Sequence, residues 1–180
     1  MTDFKLLELA KAEGFSAALI PSEEIPVNPK FRIFCEENRC GRYGANYSCP
    51  PDCGTVEDMH QQILSEPMAL IITSKWKING YQDAAGIQHA KEGHNAGVRR
   101  LLAAVRQAGY EGFAAGYNGC QICKPCKRVN DEPCPFPEQR VSCMSAYCID
   151  VSALSQRCGL EFAWEDGWLY LFGMIGYHKI

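Results

Sequence analysis

An α/β or α+β sandwich is the fold class the sequence predicts: a mixed sheet of about five strands flanked by helices, with cysteine-rich loops between them. Three observations point there. Strand-like and helix-like segments alternate along most of the chain. Two apolar runs near the end flank a turn. The length of 180 residues, 47% hydrophobic and 22% charged, suits one globular domain over residues 1–180.

The elements follow in order. Asp3 to Gly14 carries Phe4, Leu6, Leu7, Leu9 and Ala10 at helical spacing and ends on glycine, and "SAALIP" then reads as a short strand. Pro26 and Pro29 break the chain before "KFRIFCEE", a short helix that delivers Cys35 to the loop "NRCGRYGANYSCPPDCG". Thr55 is placed to cap "VEDMHQQIL", and Asp58, three residues on, completes a loose capping box. "MALIITSKW" is the most apolar run, a buried strand. Gln82 to Ala108 makes a long helix whose stripe is Val98, Leu101, Leu102 and Val105, with Gly109 as its stop. "YEGFAAGY" is a strand leading into a second cysteine loop. Beyond that loop, Asp150 caps "VSALSQRC" and Gly159 ends it, while "LEFAW" and "WLYLFGMIGY" are expected to form a hairpin about Asp166 and Gly167.

The formal charge of −3, with no basic stripe, argues against a nucleic-acid surface. No apolar run approaches the ~18 residues of a membrane span, and "MTDFKLLELAKAEGF" lacks the basic start and continuous apolar stretch of a signal peptide. A cytosolic protein is expected. Eleven cysteines, clustered at short spacings, then read as ligands rather than disulfides.

The stretch "GCQICKPCKRVNDEPCPFP" sets Cys120, Cys123 and Cys126 at every third position and adds Cys134 before Pro135. A CxxCxxC run curls so that three thiolates converge on one small volume, which suits corners of a cubane cluster, whereas tetrahedral zinc usually takes two separated pairs. Seven residues lie between Cys126 and Cys134, where a bacterial ferredoxin loop has three, so Cys143 and Cys148 are alternative fourth ligands. Lys124, Lys127 and Arg128 read as solvated loop charges. Cys35, Cys40, Cys49 and Cys53 fall within nineteen residues and could close a second tetrathiolate site, by a less specific spacing.

Other chemistries lack carriers. His89 and His94 are five apart, off a common helical face and outside any HExxH pattern, and read as solvated. There is no phosphate-binding glycine loop and no GxSxG elbow. Glu161, Glu165 and Asp166 read as exposed turn residues, and Trp76, Trp164 and Trp168 as core and sheet residues.

In order along the chain, "CGRYGANYSCPP", "NGCQICKPC", "EPCPFPEQR" and "SAYCIDV" resemble a bacterial and archaeal family described only as predicted metal-binding proteins, a domain of unknown function. The resemblance runs from about Cys35 to "LYLFGMIGY". It implies Cys40, Cys49, Cys120, Cys123, Cys126 and Cys134 as ligands, with Cys35 beside them, and it matches Tyr43, Pro50 and Tyr147. Cys143 and Cys148 depart from the family pattern.

The expectation is one [4Fe-4S] cluster on Cys120, Cys123, Cys126 and Cys134 and a second on Cys35, Cys40, Cys49 and Cys53, working in electron transfer or redox support of a partner enzyme. One alternative gives the same thiols zinc and a structural, protein-binding role. Another is an enzyme whose cluster keeps an open iron as Lewis acid. A redox partner protein is expected, and neither nucleic acid nor membrane.

Overall fold

A computed structural model describes residues 3–180. Helix α1 (Asp3–Ala12) leads into strand β1 (Ser16–Pro21), and after two single-turn 3-10 segments comes the short helix α2 (Arg32–Glu36). Helix α3 (Val56–Leu64) starts on the expected capping box: the Thr55 hydroxyl accepts from the Asp58 N–H at 3.1 Å while the Asp58 carboxylate accepts from the Thr55 N–H at 2.9 Å. Strand β2 (Met68–Lys77), helix α4 (Ala84–Gln107) and strand β3 (Tyr110–Gly116) follow. Strand β4 (Ser142–Cys143), helix α5 (Val151–Cys158) and strand β5 (Trp168–Lys179) complete the chain. Asp150 caps α5, and Gly159 closes it in the left-handed conformation, as the sequence predicts.

The five strands form one mixed sheet in the order β1-β2-β5-β3-β4, in which only the β3 and β4 pairing is parallel. Both sheet faces are covered, which explains why "MALIIT" is apolar without alternation. Ala69 and Ile71 of β2 join Met59, Ile63, Leu154, Phe172 and Met174 in one core, under α3 and α5. Leu70 and Ile72 turn the other way, toward Leu6, Ala10, Val98, Leu101 and Val105 on α1 and α4. The result is a sandwich of three layers. Helix α4 comes close to its neighbours because Gly93 and Gly97, one turn apart, carry no side chain. A Cβ at these positions would lie 2.4 Å from the Trp76 ring and 2.8 Å from that of Phe15.

Three expectations are corrected. Leu160 to Glu165 is irregular, so there is no hairpin across Asp166 and Gly167. Instead β5 inserts between β2 and β3 and takes hydrogen bonds from both. His94 is fully buried rather than solvated: one ring nitrogen lies 2.7 Å from the Ser74 hydroxyl and the other 3.1 Å from the Phe172 carbonyl. Trp164 is 85% exposed rather than part of the core. Among the described residues, no helix is long and apolar enough to cross a membrane.

Candidate metal centre

The second cysteine loop leaves the sheet at the end of β3. Its path is set by Asn95, a fully buried residue of α4. The Asn95 amide donates to the carbonyls of Tyr117 at 2.7 Å and Gly119 at 2.9 Å, and its carbonyl accepts from the Tyr117 N–H at 2.8 Å. Cys120 is then held from the first loop. Its N–H donates to the Ser48 hydroxyl at 2.7 Å, and its carbonyl accepts from the Asn46 amide at 2.8 Å and the Arg42 guanidinium at 3.2 Å. Asn46 in turn accepts from the N–H and hydroxyl of Ser48 at 3.0 and 2.8 Å. Both backbone polar groups of Cys120 are therefore satisfied before any ligand chemistry begins.

Beyond this anchor, Cys120, Cys123, Cys126 and Cys134 line one cavity, together with Tyr47 and Arg140. The Cys123 thiol is raised above its ordinary value by desolvation first, and then by the facing Cys120, Cys126 and Cys134. The four groups thus share one electrostatic neighbourhood. The space between these groups admits about one water. Among the described residues, no group of three or more His, Cys, Asp or Glu side chains stands close enough to hold a single metal ion. All eleven cysteines are free of disulfides. The donor set fits a thiophilic centre in its chemistry.

The loop cations are not simply solvated. Arg128 pairs with Asp52 at 2.8 Å, Lys127 with Glu132 at 2.9 Å, and Lys124 with Glu92. The first of these joins the two cysteine loops, as does the Tyr47 hydroxyl donating to the Glu132 carbonyl at 2.8 Å.

The earlier group does not share one cavity, although Cys49 feels Cys40 and Cys53, and Cys53 feels Cys35, electrostatically. Cys49 is buried beneath the second loop, where a Cβ on Gly119 would stand 2.7 Å from its sulfur. Burial pushes the Cys49 thiol up to about 12. Cys53 lies 3.3 Å from the Met59 sulfur and faces a different cavity, with burial pushing it up to about 11. Cys35 and Cys40 open on a third, larger cavity, where Cys35 meets Cys143. The hydrogen bond that the Cys35 S–H donates to Cys143 is the main reason the Cys35 thiol is raised, burial the second. Cys148 is buried near Arg32, and desolvation raises it as well. Neutral thiols of this kind release protons when they ligate a metal.

Asn46, Ser48 and Asn95 escaped the sequence reading. The signal for Asn95 was available, since it sits beside the stripe Ala90, His94, Val98, Leu101 and Val105, where a polar side chain must find partners.

The fold and this loop define a cysteine-rich α/β domain equipped to bind metal. The chain belongs to the family of predicted metal-binding proteins described as DUF2284, whose model matches residues 18–175. No curated protein and no solved structure matches it.

Proposed function

We propose that the protein carries a [4Fe-4S] cluster on Cys120, Cys123, Cys126 and Cys134 and serves a partner enzyme in one-electron transfer or redox support. The observation that carries this reading is the shared cavity of those four thiols, on a loop whose first cysteine is fixed through both its N–H and its C=O. Three cysteines at every third position of one loop, with a fourth facing the same cavity, suit the corners of a cubane, whereas tetrahedral zinc usually takes two separated pairs. Arg140 borders the cavity, and its charge would offset part of the net negative charge of a tetrathiolate cluster and raise its potential, while Lys127 beside it is already paired with Glu132. The proposal is confined to one centre, because Cys35, Cys40, Cys49 and Cys53 do not open on a common cavity.

Protein purified without air is expected to carry about four iron and four sulfide per chain, lost in Cys123→Ser and kept in Cys158→Ser. Zinc in place of iron would transfer the site to a structural role. Iron content that survives Cys123→Ser would remove the assignment.

A further inference from the structure

The third cavity is distinct from the cluster loop, and the topology creates it. β3 ends at Gly116, where the chain turns into the second cysteine loop, while β5 extends further: its pairing with β3 covers Met174–Lys179, and Trp168–Gly173 pair with β2 alone. Among the described residues, that half of β5 therefore has no strand on its second side. The gap is bounded by the irregular Phe162–Trp164 segment and opens into a cavity of about 440 Å³, within the range of small-molecule sites.

Aromatic rings form much of its wall. Trp164 sits 6.4 Å from Tyr81 and 6.1 Å from Phe162, and Phe162 meets Phe172 edge-on at 5.5 Å. Trp164 and Tyr81, 85% and 49% exposed, are not core residues, so folding alone gives no reason for two large apolar rings to stand at this mouth.

The cation in the lining and the one over the β5 rings are both paired. Arg39, which lines it, is paired with Glu37 at 2.8 Å. The Lys75 ammonium lies 4.8 Å from the Trp168 ring and 4.9 Å from that of Tyr170, and is itself met by Glu161 and Glu165 at 3.5 and 3.3 Å. A cation would find these two rings engaged by a like charge, and the lining's own cation, Arg39, is paired, while Lys91 stands 5.2 Å from the Tyr117 ring at the edge of the site. What remains is flat apolar surface with a few neutral polar groups, Asn118, Ser145 and the thiols of Cys35, Cys40 and Cys143.

We infer that this cavity is a binding site for an uncharged, planar aromatic or conjugated small molecule of two to three rings, gripped between Trp164 and the β5 rings. None of the four thiols assigned to the cluster, Cys120, Cys123, Cys126 and Cys134, lines this cavity, so binding is measured on protein whose iron content is determined in parallel.

The probe is N-phenyl-1-naphthylamine, an uncharged molecule of three rings, titrated into the full chain under reducing, air-free conditions. Two of the three tryptophans, Trp164 and Trp168, line the cavity, so binding should quench intrinsic fluorescence as it brightens the probe, with saturation at one molecule per chain. Trp164→Ala and Tyr81→Ala, both at exposed positions, should each weaken binding roughly fivefold, whereas Phe4→Ala, an exposed ring on α1, should leave it unchanged. The anionic analogue 8-anilino-1-naphthalenesulfonate, which adds one sulfonate to the same ring system, should bind at least about tenfold more weakly. Binding that does not saturate, or that ignores Trp164→Ala and Tyr81→Ala, would overturn the site. Equal or tighter binding of the sulfonate would overturn the neutral ligand class.

Discussion

Replacing Asn95 with leucine separates the scaffold of the cluster loop from its ligands. The two side chains share the same branched skeleton, so the change opens no cavity for water while deleting every polar atom, and the bulkier methyls add some overpacking. The Tyr117 and Gly119 carbonyls and the Tyr117 N–H would then lose partners now at 2.7, 2.9 and 2.8 Å, beside a side chain of zero exposure. Each orphaned buried group costs about 1–3 kcal/mol, but the loop is close to the surface and relaxation recovers part of it, so a net loss of ~3 kcal/mol is expected. Urea unfolding of the anaerobic protein reads this as a lower midpoint with an unchanged slope. The second readout is iron per chain, which should fall because Gly119 and Cys120 are no longer held in register, although no thiol has been touched. A stability change within ~0.5 kcal/mol together with full iron content would refute the claim that α4 positions the loop.

Three further outcomes follow from the same geometry. Burial holds the His94 imidazole down from 6.5 to about 4, so the unfolded chain takes up the proton first. Its contribution is complete above pH 6.5 and is lost as pH falls from 6.5 toward 4, by ~3 kcal/mol in all. Urea midpoints for wild type and His94→Gln should accordingly differ in pH dependence across that window, and parallel curves would contradict the buried neutral ring. Gly119→Ala places a Cβ at φ +70° and 2.7 Å from the buried Cys49 sulfur, so a loss of ~2 kcal/mol and reduced iron are expected from unfolding and metal analysis. Arg128→Gln breaks an ion pair whose side chains are 28% and 19% exposed, and denaturation should register less than ~1 kcal/mol, shrinking further in high salt.

Local signals carried the fold where they were chemically complete. Thr55 with Asp58, and Asp150 with Gly159, mark helix ends because caps are decided by neighbours in sequence, and "MALIIT" betrays a strand covered on both faces. Pairing is not local. Asp166-Gly167 has the residues of a hairpin turn, but β5 finds ten partners on β2 and six on β3, and no additional strand from Leu160 to Trp164 is needed to satisfy it. His94 was misplaced by its comparison with His89, when the informative comparison was with the apolar stripe it interrupts. The shared cavity of Cys120, Cys123, Cys126 and Cys134 was legible because a CxxCxxC run keeps its thiols on one short loop. The separate cavities faced by Cys35 and Cys53 were not, because they depend on the path of an irregular loop over the sheet.

That path has its own consequence. The first loop supplies Ser48, Asn46 and Arg42 to Cys120, buries Cys49 beneath Gly119, and sets Asp52 against Arg128. Short cluster-binding sequences can enclose a centre largely with their own amides, but here the N–H and carbonyl of the first cysteine are committed to residues more than seventy positions earlier. A loop tethered in this way keeps a fixed entry point, so the ordering entropy of a bound centre would fall mainly on the exposed Ile122–Pro135 segment rather than on the whole insertion. The first cysteine loop would then serve the proposed cluster as its cradle, held to the ligand loop beyond the end of β3.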